Sequence, residues 1–237
     1  MSINNTFKYA FNKSLPVMAG YAVLGMGFGI LLEAKGYGVI WAFLMSFTIY
    51  AGSMQYVSIN LLTGGATLIS AAIMTVMVNA RHVFYGISMI ERYKDTEPYK
   101  PYLIFALTDE TYSLVCNETL PEGIDQKKYY FFVSALNQSY WVAGSVIGSL
   151  IGSILGFNTA GIEFSMTALF VVVFVEQWKS VKNHTSALVG VIATTACLLV
   201  FGPLNAKFLI PSMILITILL FLFRPYLDKS KEDRKHE

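Results

Sequence analysis

Apolar side chains run along this chain in long unbroken stretches, not in the narrow stripes of soluble helices. Such stretches occupy 15–32, 39–62, 66–90, 129–156, 162–177, 186–202 and 206–223. Most approach or exceed the ~20 residues that a helix needs to cross ~30 Å of hydrocarbon. A shorter stretch at 102–117 is interrupted by acids. The runs are continuously apolar and lack the period-two alternation of a membrane β-barrel strand. The pattern predicts an all-α polytopic membrane protein with about seven transmembrane helices (six to eight), some of them broken. It further predicts a single transmembrane domain over 1–237, ending in a charged tail at 224–237.

Composition sharpens this reading. Hydrophobic residues make up 55% of the chain and charged residues 14%, against about 25% charged in ordinary soluble domains. Fifteen acids and seventeen bases cannot coat a soluble surface. Most of them cluster between the apolar runs: Lys8 and Lys13, Glu33 and Lys35, Glu91 to Lys100, Glu118 to Lys128, Lys179 to His184, and Arg224 to Glu237. The basic tail and the lysines before the first run place both termini in the cytoplasm by the positive-inside rule. Two cytoplasmic ends require an even number of crossings, so either 102–117 also crosses or one of the seven runs is re-entrant. Residues 12–33 lead directly into further apolar sequence and do not resemble a cleaved signal peptide. Cys116 and Cys197 show no ligand-like spacing, so neither a disulfide nor a metal is expected. The net charge of +2 supports no nucleic-acid role, and no cofactor motif is present.

A faint internal repeat adds to the picture. A shift of 123 residues sets Gly25, Gly29 and Gly38 on Gly148, Gly152 and Gly161. One residue of slippage sets Gln55 on Gln177, and Asn79-Ala80-Arg81 is echoed by Asn205-Ala206-Lys207. This suggests a three-helix repeat with halves 15–90 and 129–223, inverted if 102–117 does not cross and parallel if it does. Internal repeats of this kind are common in secondary transporters.

Candidate chemistry sits where polar groups interrupt the apolar runs. Between Val39 and Ile90, 52 residues hold only two side chains able to carry charge near neutrality, the adjacent Arg81 and His82. A cation at that depth costs about 2.5–3.5 kcal/mol on insertion scales unless it is paired or faces water. Helical spacing sets Tyr85 four residues beyond Arg81, and Asn79 three before His82. Arg81 can grip a carboxylate and His82 can carry a proton; alternatively, Arg81 ends a helix and snorkels to the interface. Leu107-Thr108-Asp109-Glu110-Thr111-Tyr112 supplies the opposite sign. Its Thr-Asp-Glu reads either as an N-cap with favourable acids or as buried carboxylates partnered by Arg81 and His82. Gly52, Ser53 and Gln55 invite local unwinding, tolerated at membrane depth only against protein or a cavity, or else a kink bonded to a neighbouring helix. Asn137 and Gln138 offer interhelical hydrogen bonds or polar substrate contacts, and Glu176-Gln177-Trp178 closes another run. Gly144, Gly148, Gly152 and Gly156 leave one bare helix stripe suited to close packing, within the protein or against a partner.

Ala51-Gly52-Ser53-x-Gln55, Asn79-x-Arg81-His82-x-x-Tyr85-Gly86 and Leu107-Thr108-Asp109-Glu110-Thr111-Tyr112 resemble, in order and spacing, the AzlC/BrnF/YgaZ family of bacterial branched-chain amino acid exporters. The resemblance extends over most of residues 15–223. It implies efflux of valine, leucine, isoleucine and sometimes methionine across the bacterial cytoplasmic (inner) membrane. It also implies a small second membrane subunit of the AzlD/BrnE/YgaH type. On that reading the substrate is a small zwitterion. Arg81 or a half-helix N-terminus takes its carboxylate, and Asp109, Glu110 or nearby carbonyls take its ammonium. Gln55 and Asn79 orient it, with Gly52, Ser53, Tyr85, Asn137 and Gln138 completing the site. His82, Asp109 and Glu110 are the candidate proton carriers. A non-transporting scaffold subunit and an intramembrane acid–base enzyme are the expectations from other classes.

Overall fold

The computed structural model describes residues 3–116, 118–155, 184–202 and 214–222, with single or paired positions at 164–179 and 208–212. The chain divides into two compact units, 1–169 and 170–237. Among the described residues every regular element is helical. The first unit carries α1 (Ile3–Ala34), α2 (Val39–Thr48), α3 (Gly52–Thr63), α4 (Leu68–Met89), α5 (Lys100–Phe105), α6 (Asp109–Val115) and α7 (Gln126–Leu155). The second carries α8 (Thr185–Phe201), before which the rings of Trp178 and His184 stack with centroids 4.0 Å apart, and a further helical stretch at 214–222.

The spine of the first unit is α1 against α7, running parallel. Contacts march together along both helices: Tyr9 on Tyr129 at 5.6 Å between ring centroids, Ser14 on the Tyr140 hydroxyl at 3.1 Å, Tyr21 edge-on to Trp141 at 5.4 Å, and Ser149 donating to Glu33 at 2.6 Å. Glycine makes this closeness achievable. A Cβ on Gly29 would overlap the Ser145 carbonyl oxygen, and one on Gly148 would overlap the Met26 backbone. Gly144 and Gly152 meet Tyr21 and Ile30 backbone at 2.9 and 3.3 Å from the same hypothetical position. The bare stripe is thus filled from within the chain over Gly144–Gly152; Gly156 lies outside the described residues. The match of Gly25 and Gly29 to Gly148 and Gly152 has a direct physical cause, because both helices need bare faces at one shared interface.

Two broken helices hang on this spine from opposite ends. A four-residue link (35–38) joins α1 to α2, and α3 hands over to α4 through the short 64–67 turn, where Thr67 caps α4 by accepting from Ser70 N at 3.2 Å. With 10 and 12 residues, α2 and α3 are ~15 and ~18 Å long at 1.5 Å per residue, about half a bilayer each. They form a hairpin that enters and leaves at the end where α1 finishes. Tyr50 turns its tip in the left-handed region at φ 44°, and Gln55 donates to Ser46 at 3.1 Å between the arms.

From there α4 returns to the end where α1 begins. Arg92, just past it, reaches the Val115 carbonyl and the Tyr130 hydroxyl at 3.4 and 3.5 Å. α5 enters from that end, with Tyr99 against Phe131 at 4.8 Å. α6 exits beside it, where the Leu114 carbonyl accepts from Tyr129 at 3.1 Å. The order hairpin then long helix occurs twice, as α2–α3–α4 and α5–α6–α7, with opposite sense. This inverted pair has other boundaries than the halves suggested by glycine spacing. The 39–62 run, expected to span, instead turns back at its middle, and 102–117 does the same. Among the described residues two helices, over 4–34 and 68–89, are long and apolar enough to cross a membrane. The run at 162–177 lies largely, and the Asn205–Lys207 echo and the 224–237 tail wholly, outside the described residues, while the 206–223 run is described mainly at 214–222.

At the end where α1 begins, Glu118 accepts from Lys13 at 2.8 Å and from the Tyr9 hydroxyl at 2.5 Å. The Lys13 hydrogen bond, then that of Tyr9, holds the Glu118 carboxyl below its ordinary value of 4.5. A depressed carboxylate stabilises the fold above its unfolded pKa, and that contribution fades as pH falls through the folded value. Thermal stability in detergent should therefore show a small decline as pH drops below about 4.5. Glu118→Gln should remove that part of the slope, and an unchanged slope would show the cluster plays no part. Both groups are solvent-screened, so the effect is small.

Candidate polar site at the hairpin tips

The tips of the two hairpins and the middle of α4 meet on one ion pair. Arg81 lies on α4 about two turns before the helix ends, so it does not mark a helix terminus. One terminal nitrogen sits 2.5 Å from Asp109 Oδ2, and the other donates to Ser53 Oγ at 2.8 Å. Ser53 belongs to the first turn of α3 and Asp109 to the first turn of α6. One guanidinium therefore ties together two tips that approach from opposite ends. The two sequence readings of Thr108-Asp109 prove compatible. Thr108 caps α6 by accepting from Thr111 N at 3.3 Å, while Asp109, at the positive end of that helix, also pairs with Arg81.

Glu110 takes a different partner. Tyr21 of α1 donates to Glu110 Oε2 at 2.6 Å and lies 2.9 Å from Thr108 Oγ1. The Tyr50 ring faces Phe105 at 6.4 Å. Its hydroxyl is buried with no hydrogen-bond partner among the described residues, as are Arg81 Nε and Asn137 Oδ1. The Tyr50 hydroxyl nevertheless lies close to those of Tyr21 and Thr108.

α7 supports both breaks. Gln138 donates to the Phe47 carbonyl at 3.0 Å and accepts from Tyr102 at 2.7 Å, so it satisfies a carbonyl freed at the end of α2. Asn137 donates to Thr111 Oγ1 at 3.0 Å. Trp141 donates to Gln55 Oε1 at 2.9 Å, and its ring lies 3.0 Å from where a Cβ on Gly52 would stand. Gly52 is bare because the indole occupies its side-chain space.

The structure brings Gly52, Ser53, Arg81, Asp109 and Glu110 to the tips. Gln55 is fully buried between Trp141 and Ser46, while Asn137 and Gln138 act as helix-to-helix bonds. His82 is on the neighbouring face of α4, its Nδ1 3.3 Å from the Asn79 carbonyl. Tyr85 stacks on Tyr112 at 4.7 Å. Sequence reasoning missed Tyr21, Ser46, Tyr50, Tyr102 and Thr111. Each is a lone hydroxyl in an apolar or motif context, and hydroxyls are too common in membrane helices to signal a site. Trp141, three residues past the Asn137-Gln138 pair, carries a local signal.

A helical protein built on glycine-packed apolar helices, with an ion pair at the meeting of two half-length hairpins, is a membrane protein with a polar centre. The chain belongs to the AzlC family: the family model described as AzlC protein matches residues 16–155. It is 44% identical over 225 residues to the "Branched-chain amino acid transport protein AzlC" of Bacillus subtilis, covering 95% of this chain and 88% of that one. It is 43% identical over 222 residues to an uncharacterized membrane protein of Helicobacter pylori, covering 94% and 96%. Identity is 29% over 197 residues to the "Inner membrane protein YgaZ" of Escherichia coli, covering 79% and 80%. No solved structure matches.

Proposed function

We propose that this protein is a secondary transporter that exports branched-chain amino acids, with valine, leucine, isoleucine and methionine as the substrate range, across a bacterial cytoplasmic membrane. The observation that carries the reading is the Arg81–Asp109 pair shared by two opposed hairpin tips. The name of the Bacillus subtilis relative supports the substrate class. A zwitterion matches the site in kind. Its carboxylate competes for Arg81 and the free amides that open α3, and its ammonium competes for Asp109, with Glu110 close by. Binding thus exchanges one internal ion pair for two external ones, and this exchange loosens one tip from the other. Because the hairpins come from opposite ends, releasing one opens the centre to one side only, which is the minimum needed for alternating access. With no ATP-binding motif, the drive is an ion, potential or substrate gradient, and His82, Asp109 and Glu110 are the groups suited to carry a proton. Both termini face the cytoplasm on this reading. A small AzlD/BrnE/YgaH-type membrane subunit completes the working unit.

The scaffold alternative drew on a free glycine stripe, and Gly144, Gly148 and Gly152 are already covered by α1. The test is counterflow. The protein, reconstituted in liposomes with its small subunit and preloaded with unlabelled leucine, should accumulate labelled leucine. Well-folded protein that shows none would sink the transport reading. Vesicles of known orientation, loaded on one side, would report direction.

A further inference from the structure

Three different helices hold the first turn of α6. Asp109 pairs with Arg81 of α4, Glu110 accepts from Tyr21 of α1, and Thr111 accepts from Asn137 of α7. Two of these anchors are carboxylates, and they differ in what opposes them. Asp109 meets a guanidinium, whereas the partner of Glu110 is a neutral phenol. Among the described residues no cation forms an ion pair with Glu110. The groups facing it are Tyr21 from α1, Tyr50 from the tip of the first hairpin with Tyr102 of α5 beyond, and His82 from α4. α7 brings only the neutral Asn137, Gln138 and Trp141 to the tips. Arg81, Asp109 and Glu110 together leave one negative charge unbalanced, and such a charge at this depth is expensive. A proton on Glu110 removes it. One on Asp109 would forfeit the ion pair, and one on His82 would set a second cation beside Arg81. Glu110 also stands in a nest of buried hydroxyls. Tyr21 Oη is 2.6 Å from Glu110 Oε2 and 2.9 Å from Thr108 Oγ1, with the Tyr50 hydroxyl close by.

Resting on the transport reading above, we infer that Glu110 alone binds the coupling proton, and that the substrate's ammonium displaces it, so one proton is exchanged for each amino acid. In the empty carrier Arg81 and Asp109 satisfy each other, and the Glu110 carboxyl holds the proton. An arriving zwitterion gives its carboxylate to Arg81, and Asp109 turns to its ammonium. Neighbouring residues on a helix diverge by about 100°, and the longer stem of Glu110 reaches back across that angle to the same ammonium. A protonated carboxyl has no charge to offer there. The proton therefore leaves to water as the second carboxylate–ammonium contact forms. Proton and ammonium compete for one carboxylate, and two cations that exclude each other from one site are carried in exchange. A charged acceptor also makes the stronger hydrogen bond, so the Tyr21 tie between the α6 tip and α1 slackens when the proton is on.

The test begins with the wild-type protein and its small subunit in weakly buffered detergent. Leucine should release up to about one proton for each molecule bound, and acidification should weaken its apparent affinity by as much as about tenfold per pH unit. In liposomes with the membrane potential clamped at zero, an acid lumen should drive accumulation of labelled leucine. Glu110→Gln keeps an oxygen for the ammonium but takes up no proton. It should bind leucine more weakly, release no proton, show an affinity flat across pH, and lose the pH-driven accumulation. Tyr21→Phe keeps the carboxylate and removes the hydroxyl that favours its charged form. Its affinity profile should move about one pH unit toward higher pH, which a purely structural role for Tyr21 would not cause. Leucine binding without proton release in wild type, or release that survives in Glu110→Gln, would overturn the assignment and leave the transport reading standing. So would a profile flattened by His82→Gln and not by Glu110→Gln. If Glu110→Gln fails to fold or to bind, Tyr21→Phe decides: a moved profile supports the assignment and an unmoved one overturns it. A wild type without leucine counterflow overturns both readings.

Discussion

Replacing Gly148 with leucine should leave little folded protein in the membrane. The atoms that a side chain would strike are the carbonyl oxygen, Cα and carbonyl carbon of Met26, all backbone of a continuous helix. A flexible side chain can rotate away from an intruder, but α1 could yield only by moving as a whole. That would break the half-buried hydrogen bonds spaced along it, from Tyr21 with Glu110 to Ser149 with Glu33. Over-packing an ordinary core costs about 1–3 kcal/mol, and a rigid backbone contact belongs at or above the top of that range. Gly29→Leu should behave alike, since its side chain would meet Ser145 and Ser149 backbone. Gly20→Ala is the control. Nothing lies within 4 Å of a Cβ there, and alanine should be neutral or stabilising by about 0.5–1 kcal/mol in a helix. Yield of monodisperse protein and its unfolding temperature in detergent would decide. A Gly148→Leu protein as stable as Gly20→Ala would refute the packing argument.

Arg81→Ala and Asp109→Asn should each abolish efflux while the protein remains in the membrane. Truncating one member of a desolvated charge pair commonly costs about 2–5 kcal/mol, and 3 kcal/mol is roughly two orders of magnitude in affinity. The stability cost is smaller than the ~3–5 kcal/mol of breaking a fully buried pair, because the two side chains keep 28% and 22% exposure. Asp109→Asn strips the charge but retains the shape, and it still offers an oxygen to Arg81. Its failure to transport would therefore place the requirement on charge itself. Arg81→Lys separates two roles. An ammonium is a single point charge and lacks the two-pronged fork, so it cannot hold Ser53 and Asp109 with two separate nitrogens. A lysine variant with near-normal transport would mean that tying the tips together is dispensable. Valine efflux from cells and unfolding temperature, measured on the same variants, separate lost function from lost fold. Near-normal efflux from both Arg81→Ala and Asp109→Asn would remove the pair from the mechanism.

The membrane class and the helical build were legible because continuous hydropathy reports burial in hydrocarbon whatever the tertiary arrangement. The charge site was legible for a related reason. An ionisable group at that depth is expensive, so Arg81 and Asp109 stand out and each implies a partner of opposite sign. Gly52-Ser53 signalled a break, and Thr108 signalled a helix start, from local propensity alone. Direction after a break was not legible. A 24-residue apolar run has the same composition whether it crosses or folds back at Tyr50, and the glycine echo between α1 and α7 was as consistent with duplication as with contact.

By itself the sequence determined that the chain is helical, apolar and membrane-embedded, that Arg81 and Asp109 are charges at depth in want of partners, and that glycines leave a bare stripe suited to close helix packing. Those are properties of single residues and runs, set by the cost of polarity in hydrocarbon. The tertiary structure alone decided that both broken helices turn back, that they do so from opposite ends, and that Asn137, Gln138 and Trp141 of α7 hold the breaks. The physical reason is that a freed backbone group needs a partner in space, and a linear pattern does not say which neighbour will supply it.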